Sequence, residues 1–450
     1  MTNVKQVDII IRNKGVFRRV RTSIFISGFG GISVRNYTKR DIYRLVEEED
    51  VGFIRLQFTD IYGMMKNIAI TTNQLEKALD NRCVFDGSSI EGFAKDEDSD
   101  MYLYPDLNTF EIFPWRPQQG KVARLICDVY RQDGTPFEND PRHILKKTVE
   151  KAKAMGYQLQ VSPKCEFFLF HTDDHGLPTT VSHENAGYFD LGPLDFGENA
   201  RRDMVLTLED MGFEIETSHH EAAAAQHEID FRYDETLAAA DKMMTFKLVV
   251  KTIAKRHGLH ATFMPKPKSG ENGSGMHLNM SLTKDGVNLF ADENGENGLS
   301  QEASYFIGGI MAHIQAITLI TNPIVNSYKR LVTRRKPVFR IPAERGEKTR
   351  VEFRSPDPSA NPYLAFAVCL AAGLEGIEKK ILPPEHMEKY NELLPGSLLE
   401  AVRAFEEDTF VQNVLGEDLS AKYVMAKKNE YQQFREYVTG WELEKYLHKI

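Results

Sequence analysis

Gly275-Met276-His277-Leu278-Asn279-Met280-Ser281-Leu282 alternates between apolar and polar side chains. Because successive side chains of a β-strand point to opposite faces, the methionines and leucines share one face of this segment. His277, Asn279 and Ser281 share the other face. The pattern therefore predicts a strand that packs one face into the core and turns the other toward a polar cavity.

Charged side chains follow the same alternation in two other segments. Glu352 and Arg354 share one face of an apolar segment, and Lys164 shares a face with Glu166 in another. A charge on a half-buried strand requires an opposite charge or a metal ion, because an isolated buried charge is strongly unfavourable. We therefore expect these strands to line one charged site.

Acidic and imidazole side chains in these segments have the composition of a divalent-metal site. Two further glutamates flank a small-residue turn in residues 218–230, SHHEAAAAQHEID. Carboxylates with one imidazole suit Mg²⁺ or Mn²⁺ better than structural zinc. The predicted metal ligands are Glu166, Glu221, Glu228, His277 and Glu352. Salt bridges between strands are the alternative interpretation.

An arginine-rich segment follows the predicted metal ligands along the chain. Its members are Arg330, Arg334, Arg335, Arg340, Arg345, Arg350 and Arg354. Guanidinium groups suit carboxylate and phosphate, so beside a divalent-metal cluster they indicate phosphoryl transfer. A solvated basic face is the alternative, but Arg340 and Arg354 lie among Ile, Val and Phe residues. Neither GxxxxGK[ST] nor GxGxxG occurs, so these phosphate-binding motifs are excluded.

The composition excludes several classes of protein. The chain has 450 residues, of which 42% are hydrophobic and 27% charged, and its net charge is −9. No apolar segment reaches the roughly 18–20 residues that a membrane-spanning helix needs, so we expect no membrane span. The overall acidity argues against a nucleic-acid-binding protein.

The four cysteines are scattered and form no CxxC pair. This spacing argues against both a disulfide scaffold and a cysteine zinc site. A reducing cytoplasm fits this cysteine usage best.

The chain divides into three regions by charge and by pattern. Residues 1–36 carry seven lysines and arginines against one aspartate, a net charge of +6, and we expect them to be disordered. They are a transit-like leader, a basic interaction arm, or upstream sequence without a role in the fold. The turn-rich segment 132–142 separates a smaller domain at 37–138 from a larger one at 139–450, in which strands alternate with longer helices.

Several motifs in the chain resemble those of type I glutamine synthetases. The motifs are FDGSSIEGF (85–93), DSDMYLYPD (98–106), CEFFLF (165–170), SHHE (218–221), QHEID (226–230), FMPKP (263–267), NGSGMH (272–277), TNPIVNSYKRL (321–331) and RVEFRSPDPSANPYLAF (350–366). The resemblance extends from about Tyr37 to the C-terminus. It implies an α+β fold with an N-terminal β-grasp domain and a catalytic, antiparallel-rich β-barrel flanked by helices.

The same resemblance implies a reaction. ATP-dependent ligation of ammonium to the γ-carboxylate of L-glutamate, through γ-glutamyl phosphate, gives L-glutamine with Mg²⁺ or Mn²⁺ as cofactor. It also implies a homo-oligomer of two stacked hexameric rings whose active sites are shared by adjacent subunits. Partners are then glutamate, ammonium, ATP and, as an open question, regulatory proteins, with no nucleic acid and no membrane.

Residue roles also follow from the resemblance alone. Glu166, Glu221 and Glu228 would hold the first metal, and His277 and Glu352 would belong to the second. Glutamate would be bound by Asn272, Gly273, Arg330 and Arg354. ATP would be surrounded by Glu216, Tyr233, Asn279, Ser281, Arg340 and Arg350, with Arg335 on the transferring phosphate. Asp86 of the partner subunit would take up ammonium, and Asp86, Arg330 and Arg335 would be catalytic.

The sequence departs from the family pattern at two places. The family has PEPEF where this chain has Pro163-Lys164-Cys165-Glu166-Phe167, so a lysine replaces a carboxylate of the second metal. The family also carries a longer loop with a glutamate where this chain has only VTRRKPVF at 332–339. The alternatives are therefore an impaired, ligand-binding regulatory relative and, less favoured because Asp86 is retained, a ligase for another amine.

Overall fold

The computed structural model describes residues 4–13, 16–25, 36–93, 99–116, 119–333, 337–384 and 394–450. Their strands are β1 Val4–Asn13, β2 Val16–Phe25, β3 Val51–Thr59, β4 Met65–Thr71, β5 Cys83–Asp86, β6 Asp100–Ile112, β7 Lys121–Tyr130, β8 Gln158–His171, β9 Ile215–His220, β10 Gln226–Phe231, β11 Asp234–Glu235, β12 Leu259–Thr262, β13 Met276–Lys284, β14 Val287–Asn288, β15 Phe339–Arg340 and β16 Val351–Phe353. Their α-helices are α1 Lys39–Glu48, α2 Leu75–Leu79, α3 Pro141–Ala154, α4 Glu198–Asp210, α5 Thr236–Arg256, α6 Gln301–Ala312, α7 Ile314–Thr321, α8 Val325–Leu331, α9 Pro362–Lys379, α10 Leu398–Glu407, α11 Thr409–Leu415, α12 Glu417–Glu436 and α13 Gly440–Tyr446.

The basic extension contains a two-stranded antiparallel hairpin. Strands β1 and β2 pair over their whole length, from Val4 opposite Phe25 to Asn13 opposite Val16. The extension was expected to be disordered, and the paired backbone differs from that expectation. Both strands are rich in valine and isoleucine, residues that favour extended backbone.

A five-stranded sheet forms the N-terminal region, in the order β4-β3-β7-β6-β5. Strands β3 and β7 run parallel, and the other neighbours are antiparallel. Helix α1 begins at a reciprocal cap, since Thr38 Oγ1 accepts from the Asp41 N–H and the Asp41 carboxylate accepts from the Thr38 N–H.

A nine-stranded antiparallel sheet carries the predicted charged strands. Its main path is β15-β16-β13-β8-β10-β9, with β11 and β12 also paired to β8 and β14 to β13. The register places His277 opposite Lys164 on β8, and Glu228 opposite Glu166. One face of the sheet therefore gathers charged side chains that lie more than 100 residues apart in sequence.

The apolar segment 301–321 is interrupted by a sharp bend. It forms two helices, α6 and α7, bent by 77°. His313 stands at the break, and its ring nitrogens lie 2.6 Å from Glu375 Oε2 and 2.7 Å from Asp408 Oδ2. No single described helix is long and apolar enough to cross a bilayer, and this bent pair alone passes that test by length and composition. Most of its apolar side chains are buried.

Arg142, on α3, joins the five-stranded sheet to α5 through a buried guanidinium. It donates to Asp106 and Asp128 of the five-stranded sheet and to Asp241 of α5, at 2.7 to 2.8 Å. Its side chain is only 3% exposed. The two regions are therefore joined by a buried, charge-assisted network.

Candidate active site

Two overlapping groups of metal-ligating side chains lie on the charged face of the nine-stranded sheet. Glu166, Glu228 and His277 place one ligand atom each within 4.8 Å of one another. His219, Glu221 and Glu228 form the second group by the same distance. Glu228 belongs to both groups, so the structure brings four of the five predicted ligands into one connected cluster.

Hydrogen bonds fix the orientation of Glu166. Its Oε2 accepts from the Gly275 N–H at 2.8 Å and from the Gln226 side-chain amide at 3.0 Å. Burial, and then the charges of Asp230 and Glu166, raise the pKa of Glu228 well above its ordinary value. The neighbouring carboxylates contribute to this shift after burial, and a bound divalent cation would relieve their mutual repulsion.

Lys164 places its ammonium beside this cluster. Lys164 Nζ donates to Asp230 Oδ2, which also accepts from Thr217 Oγ1 at 2.7 Å. Burial alone lowers the pKa of Lys164, but the charges of Asp230 and Glu228 outweigh it and raise the pKa above its ordinary value. The lysine is therefore a charged member of the site. Its partner is Asp230 rather than Glu352.

Glu352, the fifth predicted ligand, is buried among cationic groups. Its Oε1 lies 3.4 Å from His277 Nδ1 and 3.7 Å from Arg354 Nε, and its Oε2 lies 3.1 Å from Arg340 Nη1. Arg340 is 56% exposed, so it reaches in from the rim of the site. These basic groups neutralise the negative charge of Glu352, so Glu352 attracts a cation less strongly than Glu228 does.

Arg330 lies close behind the same strands. Its Nη1 donates to Ser355 O at 2.7 Å and its Nη2 to Arg354 O at 3.2 Å, which fixes the guanidinium plane. A Cβ on Gly275 would stand 2.6 Å from Arg330 Nη2, and one on Gly273 would stand 2.3 Å from Pro265 O. The glycines of the NGSG segment are therefore needed for close packing.

The remaining predicted residues are placed less centrally. Asn279 is buried opposite Glu352, and Ser281 faces Gln160 on β8. The exposed residues include Asp86 at the end of β5, Glu216 and Tyr233. Arg350 donates to Glu344 at 2.6 Å. Arg335 lies outside the described residues.

Three site residues were not singled out from the sequence. Asp230 pairs with Lys164, His219 Nε2 lies 3.1 Å from Glu221 Oε1, and Gln226 donates to Glu166. Asp230 follows Glu228 by two residues on a strand, so strand alternation places both on one face. That rule was sufficient to find Asp230.

Comparisons with known proteins agree with this geometry. The family model "Glutamine synthetase, catalytic domain" matches residues 138–446, and "Glutamine synthetase, beta-Grasp domain" matches residues 50–132. A glutamine synthetase of Clostridium saccharobutylicum is 57% identical over 439 residues, which are 92% of this chain and 99% of the relative. The chain belongs to the glutamine synthetase family. A Staphylococcus aureus glutamine synthetase is 49% identical over 440 residues, with the same shares of both chains.

Solved structures of the glutamine synthetase family share this fold. Ligand-free GmaS superposes with a TM-score of 0.82 at 31% identity, covering 90% of this chain and 99% of that one. A Plasmodium falciparum glutamine synthetase superposes with a TM-score of 0.82 at 25% identity, covering 92% and 99%. These likenesses fit the predicted α+β fold with its β-grasp domain. The relatives support glutamine synthesis by an ATP-dependent glutamate–ammonia ligase, and they do not support the impaired alternative.

Proposed function

We propose that the chain joins ammonia to the γ-carboxylate of L-glutamate while ATP is converted to ADP and phosphate. A γ-carboxylate oxygen attacks the γ-phosphorus of ATP, ADP leaves, and γ-glutamyl phosphate forms. Ammonia then attacks the carbonyl carbon, the bond from that carbon to the phosphate oxygen breaks, and nitrogen loses a proton. The observation that carries this proposal is the Glu166, Glu228 and His277 group beside the buried Arg330.

The acidic cluster fits a divalent cation, Mg²⁺ or Mn²⁺. Its donors are carboxylate oxygens and an imidazole, and neighbouring carboxylates contribute, after burial, to the raised pKa of Glu228. We assign the tighter position to Glu166, Glu221 and Glu228, and a weaker one to His277 and Glu352. When bound, a divalent ion supplies charge neutralisation for phosphoryl oxygens.

The glutamate site is built from Arg330 and its neighbours. Arg330 has its guanidinium fixed by two backbone carbonyls, so it offers oriented donors to a carboxylate without reorganising. Asn272, Gly273 and Arg354 complete this site. Arg354 Nε has no hydrogen-bond partner among the described residues, which leaves a buried donor for the substrate.

ATP is assigned to the outer part of the same face. Its residues are Glu216, Tyr233, Asn279, Ser281, Arg340 and Arg350, with Arg335 on the transferring phosphate. The exposed Arg340 guanidinium and the Tyr233 ring suit a polyphosphate and a base, respectively.

Ammonium is assigned to Asp86 of the partner subunit in an assembly of two stacked hexameric rings. Hydrogen bonds from Ser88 lower the pKa of Asp86, so its carboxylate is charged and attracts a cation. Exposed apolar side chains near the C-terminus, including Tyr437, Trp441 and Leu447, support association with other copies. We also propose the domain bounds 37–138 and 139–450. A cytoplasmic location is supported by four buried, unpaired cysteines.

The activity is tested by incubating the full chain with ATP, L-glutamate, ammonium and Mn²⁺. Glutamine is measured by mass spectrometry and ADP by a coupled assay, with each substrate omitted in turn. We expect glutamine and ADP in equal amounts, and only when all three substrates are present. ADP formation without glutamine, or methylamide formed in place of glutamine when methylamine is added, would overturn the proposal.

A further inference from the structure

A second buried cluster lies behind the metal-binding hairpin β9–β10. Glu184, Asp195, His220 and His227 place one ligand atom each within 4.8 Å of one another, and all four are buried. His220 and His227 directly precede Glu221 and Glu228, so strand alternation turns their side chains to the opposite face. The cluster is therefore separate from the ligands of the active site and adjoins them through the backbone.

The hydrogen bonds and the charge balance of this cluster argue against a bound metal ion. His220 Nδ1 lies 2.6 Å from Glu221 O and Nε2 lies 2.8 Å from Glu184 Oε1, so both nitrogens donate to acceptors. Arg201 donates to Asp195 at 2.6 Å and to His227 Nδ1 at 2.9 Å. The positive charges of His220 and Arg201 thus balance the negative charges of Glu184 and Asp195. Both ring nitrogens of His220 and Nδ1 of His227 take part in hydrogen bonds. The remaining nitrogen, His227 Nε2, packs against Gly197.

Glu184 connects the segment before α4 to the metal-binding hairpin. Its Oε1 accepts from His220 and from the Ala225 N–H in the hairpin turn. Its Oε2 accepts from the Phe196 N–H at 2.9 Å. The buried Glu184 carboxylate therefore links both ends of the turn that carries Glu221 to the segment before α4.

The same segment also contacts the front of the site. The Phe189 N–H donates to His220 O at 3.1 Å, and the Phe189 ring packs edge-on against the His219 ring at 4.9 Å. His219 Nε2 in turn lies 3.1 Å from Glu221 Oε1. Displacing this segment would therefore disturb Glu221 both through the backbone of His220 and through the side chain of His219.

We infer that Glu184 is a positioning residue that holds Glu221 and Glu228 in the geometry needed to bind the divalent cation. The inference rests on the proposed function for the identity of the ligands, but it concerns metal affinity and does not require turnover. Partners behind metal ligands commonly change metal affinity by about 10- to 100-fold when they are altered. Glu184 stands behind two of the proposed ligands.

The test compares Glu184→Gln with Glu198→Gln in the full chain. Glu198 is an exposed carboxylate in the same part of the chain and accepts from the Gly192 N–H at 3.2 Å. Among the described residues, no hydrogen bond or ion pair joins its side chain to the hairpin. Mn²⁺ affinity is measured by calorimetry without nucleotide or glutamate, and Mn²⁺ geometry by electron paramagnetic resonance. We expect Glu184→Gln to weaken binding at least tenfold and to change the resonance, whereas Glu198→Gln stays within twofold of the unaltered protein.

Glu184→Asp serves as a second variant if the glutamine variant fails to assemble. It keeps the charge but is one methylene shorter, so it cannot reach both His220 and Phe196, and we expect at least a threefold loss of affinity. Folded variants that bind Mn²⁺ within twofold of the unaltered protein would overturn the inference, even if their melting temperature falls. A protein that binds Mn²⁺ tightly but makes no glutamine would refute the proposed function and leave this inference standing.

Discussion

Lys164 lies directly opposite His277 in the antiparallel pairing of β8 and β13, with its ammonium bonded to Asp230. A positive charge therefore occupies the side of the site where His277 and Glu352 meet. An ammonium cannot ligate a cation and repels one nearby. The structure thus combines a carboxylate-rich position at Glu228 with a cationic position next to it.

Lys164→Glu should convert the weaker Mn²⁺ position at His277 and Glu352 into a second tight site. The new carboxylate would join His277 and Glu352 and would remove the repelling ammonium. Calorimetry measures the stoichiometry, and Lys164→Gln is the matched control because it removes the charge without adding a ligand. Two equally tight Mn²⁺ sites in the unaltered protein would contradict the prediction.

Mn²⁺ affinity should increase with pH. In the metal-free fold the pKa of Glu228 is raised, so this carboxyl must lose a proton before it binds a cation. Below that pKa the affinity should rise by up to about tenfold per pH unit. The unfolded chain releases this proton at lower pH, so the metal-free protein should lose stability as pH rises, and Mn²⁺ should offset the loss.

Calorimetry at several pH values, with melting curves with and without Mn²⁺, checks both statements. Glu228→Gln should abolish most of the pH dependence along with most of the binding. An affinity that does not increase as the pH rises above the ordinary pKa of a glutamate would count against the raised pKa of Glu228.

Arg142→Met should destabilise the chain by about 3–5 kcal/mol, because it leaves three aspartates without their shared, buried cation. Arg232→Met is the control, since Arg232 and Glu214 form a surface pair whose loss should cost less than about 1 kcal/mol. Urea unfolding measures both differences. Equal effects for the two variants would show that the Arg142 network does not stabilise the packing of the five-stranded sheet against α5.

The local pattern predicted the strands of the site and the charged side chains that line it. Alternation is a property of neighbouring residues, so the faces of β13 and β8 could be inferred before their pairing was known. The break at His313 could not, because it depends on Glu375 and Asp408, which lie 62 and 95 residues away in sequence. The proximity of Lys164 to Asp230 could not be inferred either, since it arises only when β8 and β10 pair.

The roles carried over from the family are a different kind of prediction. Glu216 and Tyr233 are exposed in the single chain, and within the part that the structure describes neither forms a hydrogen bond or an ion pair with the acidic cluster. Asp86 belongs to the other sheet. Sites completed by another molecule, whether substrate or subunit, leave such residues without partners in one chain. Their roles therefore stay predictions.

Mixing two inactive variants tests the shared site. Asp86→Asn removes the proposed ammonium carboxylate, and Arg330→Gln removes the glutamate guanidinium, so each homogeneous assembly should lose at least about 100-fold in turnover. Mixed assemblies contain some sites in which both residues are intact, and they should recover a measurable fraction of activity. Mixtures as inactive as their parents, despite exchange of subunits shown by native mass spectrometry, would place Asp86 in the same chain's site.

Lys247→Met should change how stability depends on pH. Burial is the main reason that the pKa of Lys247 is lowered to about 8, with Lys251 adding to it and Cys165 and Asp357 opposing it. The unfolded chain keeps this proton up to about pH 10.5, so between pH 8 and 10.5 the unfolded state binds more protons and the unaltered protein gains stability as pH rises. The full gain is at most about 3 kcal/mol. Lys247→Met lacks this group, so the free energy of unfolding of the unaltered protein should increase relative to that of the variant as the pH rises over that interval. Urea unfolding at pH 7.5, 8.5 and about 9.5 measures the shift, and Lys251→Met is the comparison for an adjacent lysine. A difference that stays constant with pH would mean that Lys247 keeps an ordinary pKa, and that the carbonyl of Ala360, to which it donates at 3.2 Å, is sufficient to hold a charged ammonium there.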